Sequence, residues 1–114
     1  MRRNHGVLLV AFCVLATALF AQVVITSNIV GTVTDPQGAV IGGAKITLTN
    51  IDTGVQWKMT TSANGDYQFA HLIAGTYKVE VVKEGFAHTV STAVALENGT
   101  TLRINLGVRL GKAN

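Results

Sequence analysis

The 114-residue chain has one cysteine, Cys13, and one proline, Pro36. Charged residues make up 13% and aromatic residues 6%. Each shortage excludes something. A lone cysteine cannot form a disulfide framework or a thiolate metal site. Scarce charge excludes the dense basic surface that nucleic acid requires. The single long apolar run, Gly6–Phe20, is interrupted only by Thr17 and follows the basic start Met1-Arg2-Arg3-Asn4-His5. Ala16-Thr17-Ala18 and Ala21 then supply small residues for cleavage. This is the layout of a secretory signal, and residues 1–21 are read as a signal-peptide helix cut after Ala18 or Ala21. The alternative, an uncleaved anchor running on to Ile25, has roughly the length a spanning helix needs. Phe12 directly before Cys13 does not suit a lipoprotein signal.

Removing the leader takes away Arg2 and Arg3, so the formal net charge falls from +3 to +1. Cys13 leaves with it. The remaining domain must be held by its apolar core alone, which is feasible but marginal at this length.

After a short linker, 22–27, the pattern is strand-like from Asn28 onward, with β-branched residues alternating with polar ones between turn signals. Asn28–Thr34 is a first strand, ending in Asp35-Pro36-Gln37-Gly38, the preferred residues of a type I turn. Ala44, Ile46 and Leu48 alternate with polar neighbours, as do Val55, Trp57 and Met59. Tyr67 and Phe69 follow Ala63-Asn64-Gly65. Tyr77, Val79 and Val81 face one way and Lys78 and Glu80 the other. A sixth strand carries Val90, Thr92, Val94 and Leu96 on one face, and a seventh Leu102, Ile104, Leu106, Val108 and Leu110.

Consecutive strands pair as hairpins, and parity selects their loops. A three-residue loop Glu97-Asn98-Gly99, with Gly99 left-handed, places Leu96 opposite Thr100 and Val94 opposite Leu102. The same reasoning at Ala63-Asn64-Gly65 puts Met59 opposite Phe69. Seven short strands, each with one apolar face, predict an all-β, antiparallel, two-sheet sandwich over 28–110 and a tail at 111–114.

Little here suggests chemistry. His71 and His88 lie in different segments, too few to hold zinc. Asp35, Asp52 and Asp66 sit at turns, where carboxylates cap backbone N–H groups. Ser27, Ser62 and Ser91 lack the setting of a nucleophile. Neither an enzyme nor a cofactor nor a metal is expected. Trp57, Tyr67, Phe69, Tyr77 and Phe86 could stack on a sugar, but four of them fall on the inward face and read as core. Phe86, in a loop, is the aromatic expected at the surface, and with His88 it forms the candidate binding surface.

Ile29-Val30-Gly31-Thr32-Val33-Thr34-Asp35-Pro36-Gln37-Gly38-Ala39-Val40 and Gly43-Ala44-Lys45-Ile46-Thr47-Leu48-Thr49-Asn50 resemble the opening of carboxypeptidase regulatory-like domains. Ala63-Asn64-Gly65-Asp66-Tyr67-Gln68-Phe69, Ala74-Gly75-Thr76-Tyr77-Lys78-Val79-Glu80-Val81 and Gly85-Phe86 continue the resemblance. It implies a transthyretin-like (prealbumin-like) sandwich, filed with carbohydrate-binding-like folds and common at the N-terminus of TonB-dependent outer-membrane receptors of Gram-negative bacteria. Prolines frequent in the family near Gly42 and Ala74 are missing here, and so are the carboxypeptidase's zinc ligands. A receptor would continue into a plug and barrel, so the chain ending at Asn114 is expected to be a stand-alone domain or a truncated reading frame. The expected role is a cell-envelope interaction module, monomeric in isolation, docking a protein or glycan in the periplasm or at the outer membrane. The alternative is an accessory domain of a TonB-dependent receptor.

Overall fold

The computed structural model describes residues 25–111. The expected signal peptide and its cleavage sites, most of the linker and most of the tail lie outside the described residues. Nine strands are present: β1 Ser27–Thr34, β2 Lys45–Asn50, β3 Gln56–Thr60, β4 Asp66–Leu72, β5 Gly75–Val82, β6 Thr89–Val90, β7 Val94–Leu96, β8 Thr101–Arg103 and β9 Leu106–Gly107. They form the expected all-β sandwich. One sheet runs β4-β1-β8, with β9 also on β1; the other runs β3-β2-β5-β6, with β7 also on β5.

Nine strands are the seven expected ones with the last two each broken once. In both cases a polar side chain replaces a main-chain group at the break. Ser91 donates its N–H to Val79 O at 2.8 Å, while its hydroxyl accepts the Val79 N–H at 2.9 Å, between β6 and β7. Asn105 Oδ1 accepts the Thr32 N–H at 3.0 Å, between β8 and β9. Both gaps keep the central strand's hydrogen bonds satisfied, which a buried ladder requires.

The alternation of β1, β2, β4 and β5 fills the space between the sheets with Ile29, Val33, Ile46, Leu48, Tyr77, Val79 and Val81, each inaccessible to solvent except Tyr67 and Phe69 beside them, which are nearly so. Fully burying one such aliphatic side chain contributes about 1.5–3 kcal/mol, so a cysteine-free core of this kind can hold the domain.

The expected hairpin between the last two strands does not form. β7 pairs with β5, placing Leu96 opposite Gly75 and Val94 opposite Tyr77. β8 pairs in parallel with β1, placing Leu102 opposite Ile29, and β9 continues in parallel at Val33–Leu106. Met59 likewise lies opposite Ile46, and Phe69 opposite Ile29, not opposite each other. Both connections cross from one sheet to the other. Parity argues about the two faces of one sheet and loses its force when the chain changes sheets.

Buried hydroxyls pin the two crossings. Thr61 Oγ1 accepts the Ala44 N–H at 2.9 Å and donates to Ile41 O at 2.8 Å. Ser27 Oγ donates to Glu97 O at 2.6 Å and accepts the Thr100 N–H at 3.4 Å. Gly99 is left-handed as expected, at φ 72°, but the turn it closes is a crossing between sheets.

The inward face of the C-terminal third is also narrower than expected. Leu96, Leu106 and Val108 are buried and Leu102 and Ile104 half-buried, whereas Val90 and Leu110 are exposed. Val90 lies opposite Glu80 and so on the solvent face, the register on β5 shifting by one residue between β6 and β7, and Leu110 makes only an isolated bridge to Phe86.

Candidate binding surface

Turn chemistry behaves as the residue types dictate at Asp35, whose Oδ1 accepts the Gln37 and Ala39 N–H groups, each at 2.9 Å. At the β2–β3 turn the cap is Asn50, whose Oδ1 accepts the Asp52 and Thr53 N–H groups at 3.0 and 3.1 Å. Asp66 accepts the Thr32 hydroxyl at 2.7 Å. The three aspartates are thus spread over separate places, and among the described residues no group of three or more histidine, cysteine, aspartate or glutamate side chains could hold a metal.

Phe86 and His88 differ in exposure and in partners. Phe86 is half-buried, packs against the core and bridges Leu110, so it is not the exposed aromatic that its loop position suggested. The neighbouring Ala87 N–H donates to Arg109 O at 2.8 Å, tying this loop to the end of the domain. His88 is exposed, with Nε2 3.2 Å from Glu80 Oε2, and Glu80 also holds Lys78 at 3.4 Å. Lys78 and Glu80 therefore face solvent as a pair, as their spacing implied.

The exposed aromatic is Trp57. Its alternation points inward, and its ring meets Tyr77 with centroids 6.1 Å apart. Yet β3 ends its sheet, so nothing covers the outer side of the ring and the residue is 36% exposed. Ile51, Val55 and Ile73 are exposed around the same end of the sandwich. The Ile51 N–H bonds Thr76 O, the Asn50 N–H bonds Val55 O, and the Tyr77 hydroxyl bonds Ile73 O, which gathers them near Tyr77. Periodicity could not reveal this, because it assigns a face and not a strand's place in the sheet.

Two shallow depressions meet at Met59. One, of about 480 Å³, includes Lys45, Thr47, Lys58, Thr60 and Val82; the other, of about 410 Å³, includes Asp66, Gln68 and Arg103. Beneath the second, the Tyr67 hydroxyl donates to Ile104 O. Burial pushes the Tyr67 phenol up to about 12, partly opposed by the Arg103 charge. A neutral phenol locked to a carbonyl is a structural device, not a general acid. His71 stands at φ 59° where the β1–β4 register shifts. Histidine tolerates this left-handed region better than most residues, and it marks a bulge.

Comparison with known proteins places this arrangement. The chain is 32% identical over 106 residues to the TonB-dependent transporter Oar of Myxococcus xanthus, covering 91% of this chain and 10% of the transporter. It therefore spans about a tenth of that relative's length. Among solved structures, the Bacillus anthracis TIE protein superposes with a TM-score of 0.64 at 19% identity, over 75% of this chain and 17% of that one. Catechol 1,2-dioxygenase of Acinetobacter radioresistens gives 0.63 at 15% identity, over 82% and 55%. Likeness at such identities reports the fold alone, and one fold hosts unrelated functions. The profile of the carboxypeptidase regulatory-like domain, a non-catalytic type, matches residues 28–109, most of the chain. The chain belongs to the carboxypeptidase regulatory-like domain family.

Proposed function

We propose that this β-sandwich is a non-enzymatic accessory domain of a TonB-dependent outer-membrane transport system, exported to the cell envelope of a Gram-negative bacterium. The observation that carries the reading is the similarity to the Oar transporter, which extends over nearly the whole chain. The secretory layout of residues 1–21 supports export.

A second reading, an envelope module that docks a protein or a glycan on its own, is supported by the exposed Trp57 with Ile51 and Val55. An aromatic face at the surface suits either ligand. In that reading His88 adds a polar contact beside Glu80, with Phe86 contributing only the exposed part of its ring.

Fractionation of the native organism separates the two. Peptides from Asn28–Leu110 recovered in the outer membrane, in one complex or one chain with a β-barrel receptor, are the expected result. Recovery as a soluble periplasmic species without a receptor overturns the first reading.

A further inference from the structure

We infer that the outer edge of β3 receives an extended segment of a partner protein, alternating apolar with acidic residues, as an added strand. Among the described residues β3 ends its sheet, and this holds independently of the proposed transport role.

The main-chain groups of β3 divide by parity. The Asn50 N–H bonds Val55 O and the Thr61 N–H bonds Ala44 O, so the pairs flanking the β2–β3 ladder are hydrogen-bonded ones. Bonded and non-bonded pairs alternate in an antiparallel ladder. With the register Ile46–Met59 and Leu48–Trp57, residues 55, 57, 59 and 61 aim their N–H and C=O groups at β2. Gln56, Lys58 and Thr60 aim theirs away from it, at the end of the sheet.

Other edges among the described residues are blunted. β4 opens with Asp66 and carries the His71 bulge, and β6, β7, β8 and β9 have only two or three residues each. Short strands, bulges and charges are how sheets avoid unwanted pairing. β3 has five residues, a continuous register, no proline and a single charge.

The side chains define what fits. Residues opposite one another across a pair share a face. On the inner face a new strand meets Trp57 and half-buried Met59, which call for apolar residues. On the outer face it meets Lys58, with Lys45 one strand further in, opposite Thr60. The ion pairs among the described residues are Lys78–Glu80 and His88–Glu80, so neither Lys45 nor Lys58 is ion-paired there, and Lys58 lies two strands from Glu80. An acidic residue opposite Lys58 supplies a partner. A second copy of β3 presents another lysine in the same row and fits less well. Main-chain bonds give such an added strand its affinity and alternate side chains its selectivity.

The test titrates the full ¹⁵N-labelled chain with a synthetic nonapeptide alternating valine and glutamate. Its amide resonances at Gln56, Lys58 and Thr60 should shift, and exchange of those amides should slow. Lys58→Gln should weaken binding about two- to fivefold, the scale of one cross-strand ion pair. Lys58→Pro should weaken it about tenfold or more by removing an edge donor, and it should leave melting nearly unchanged because that N–H makes no bond to β2. Should Lys58→Pro melt early, Lys58→Gln and a peptide N-methylated at alternate amides carry the test. Shifts centred away from β3, or a valine–lysine peptide binding as tightly, overturn the proposal. So does a dimeric mass without peptide that Lys58→Pro abolishes, since the occupant would then be a second copy.

Discussion

Gly31→Ala is the most informative single change in the core. Gly31 is buried on β1 opposite Tyr67. A Cβ there would stand 2.6 Å from Cε2 and Cζ of the Tyr67 ring and would also collide with the Ile104 carbonyl oxygen. Ordinary contact begins at 3.4 Å, so the ring must retreat by most of an ångström. Neither neighbour can give independently, because the Tyr67 hydroxyl donates to that same carbonyl, while the Ile104 N–H donates to Val30 O at 2.8 Å. Overpacking costs about 1–3 kcal/mol, and a buried hydroxyl losing its partner about 1–3 more. The expected destabilisation is therefore about 2–6 kcal/mol, much of a typical domain's total. Urea unfolding followed by tryptophan fluorescence measures it, provided the slope m is unchanged. Because both variants act on one contact, Gly31→Ala with Tyr67→Phe should cost less than the sum of the single changes. A loss below about 0.5 kcal/mol for Gly31→Ala, the range of surface substitutions, would refute this account of β1, β4 and the β8–β9 break.

Three further outcomes are expected. Thr61→Val keeps the shape but strands the Ala44 N–H and leaves Ile41 O without its donor, so it should cost about 2–4 kcal/mol by urea melt, with Ser62→Ala near neutral. Gly99→Val places a β-branched residue at φ 72° and should cost about 1–2 kcal/mol, well above Asn98→Ala, in thermal unfolding of the two variants. The raised Tyr67 pKa means that the folded state holds the phenolic proton more tightly than the unfolded chain. Its contribution is therefore fully present below about pH 10 and is lost as pH rises towards about 12, and Tyr67→Phe should flatten that decline in urea midpoints.

The existence of the strands and the chemistry of several turns were legible in the sequence, because both are local. Alternation at Tyr77-Lys78-Val79-Glu80-Val81 reports which side chains avoid water, and Asp35-Pro36-Gln37-Gly38 closes a turn by itself, with the Gly38 N–H 3.0 Å from Asp35 O. The family motifs were legible for the same reason. Asn50 taking the cap expected of Asp52 was a near miss between two neighbours with equivalent side-chain oxygens.

Pairing was not legible. Alternation carries one bit per residue, inward or outward, and in a sandwich two different sheets satisfy the same bit. Met59 and Phe69 both point inward, yet they belong to opposite sheets, as do Leu96 and Leu102. Position within a sheet was hidden as well, which is why Trp57 looked like core and Phe86 like surface. Sequence alone determined an all-β domain of this family with polar turns and no disulfide. Tertiary structure decided which strands meet, where Ser91 and Asn105 interrupt them, and that β3 is left at the edge, because those depend on contacts between residues far apart in the chain.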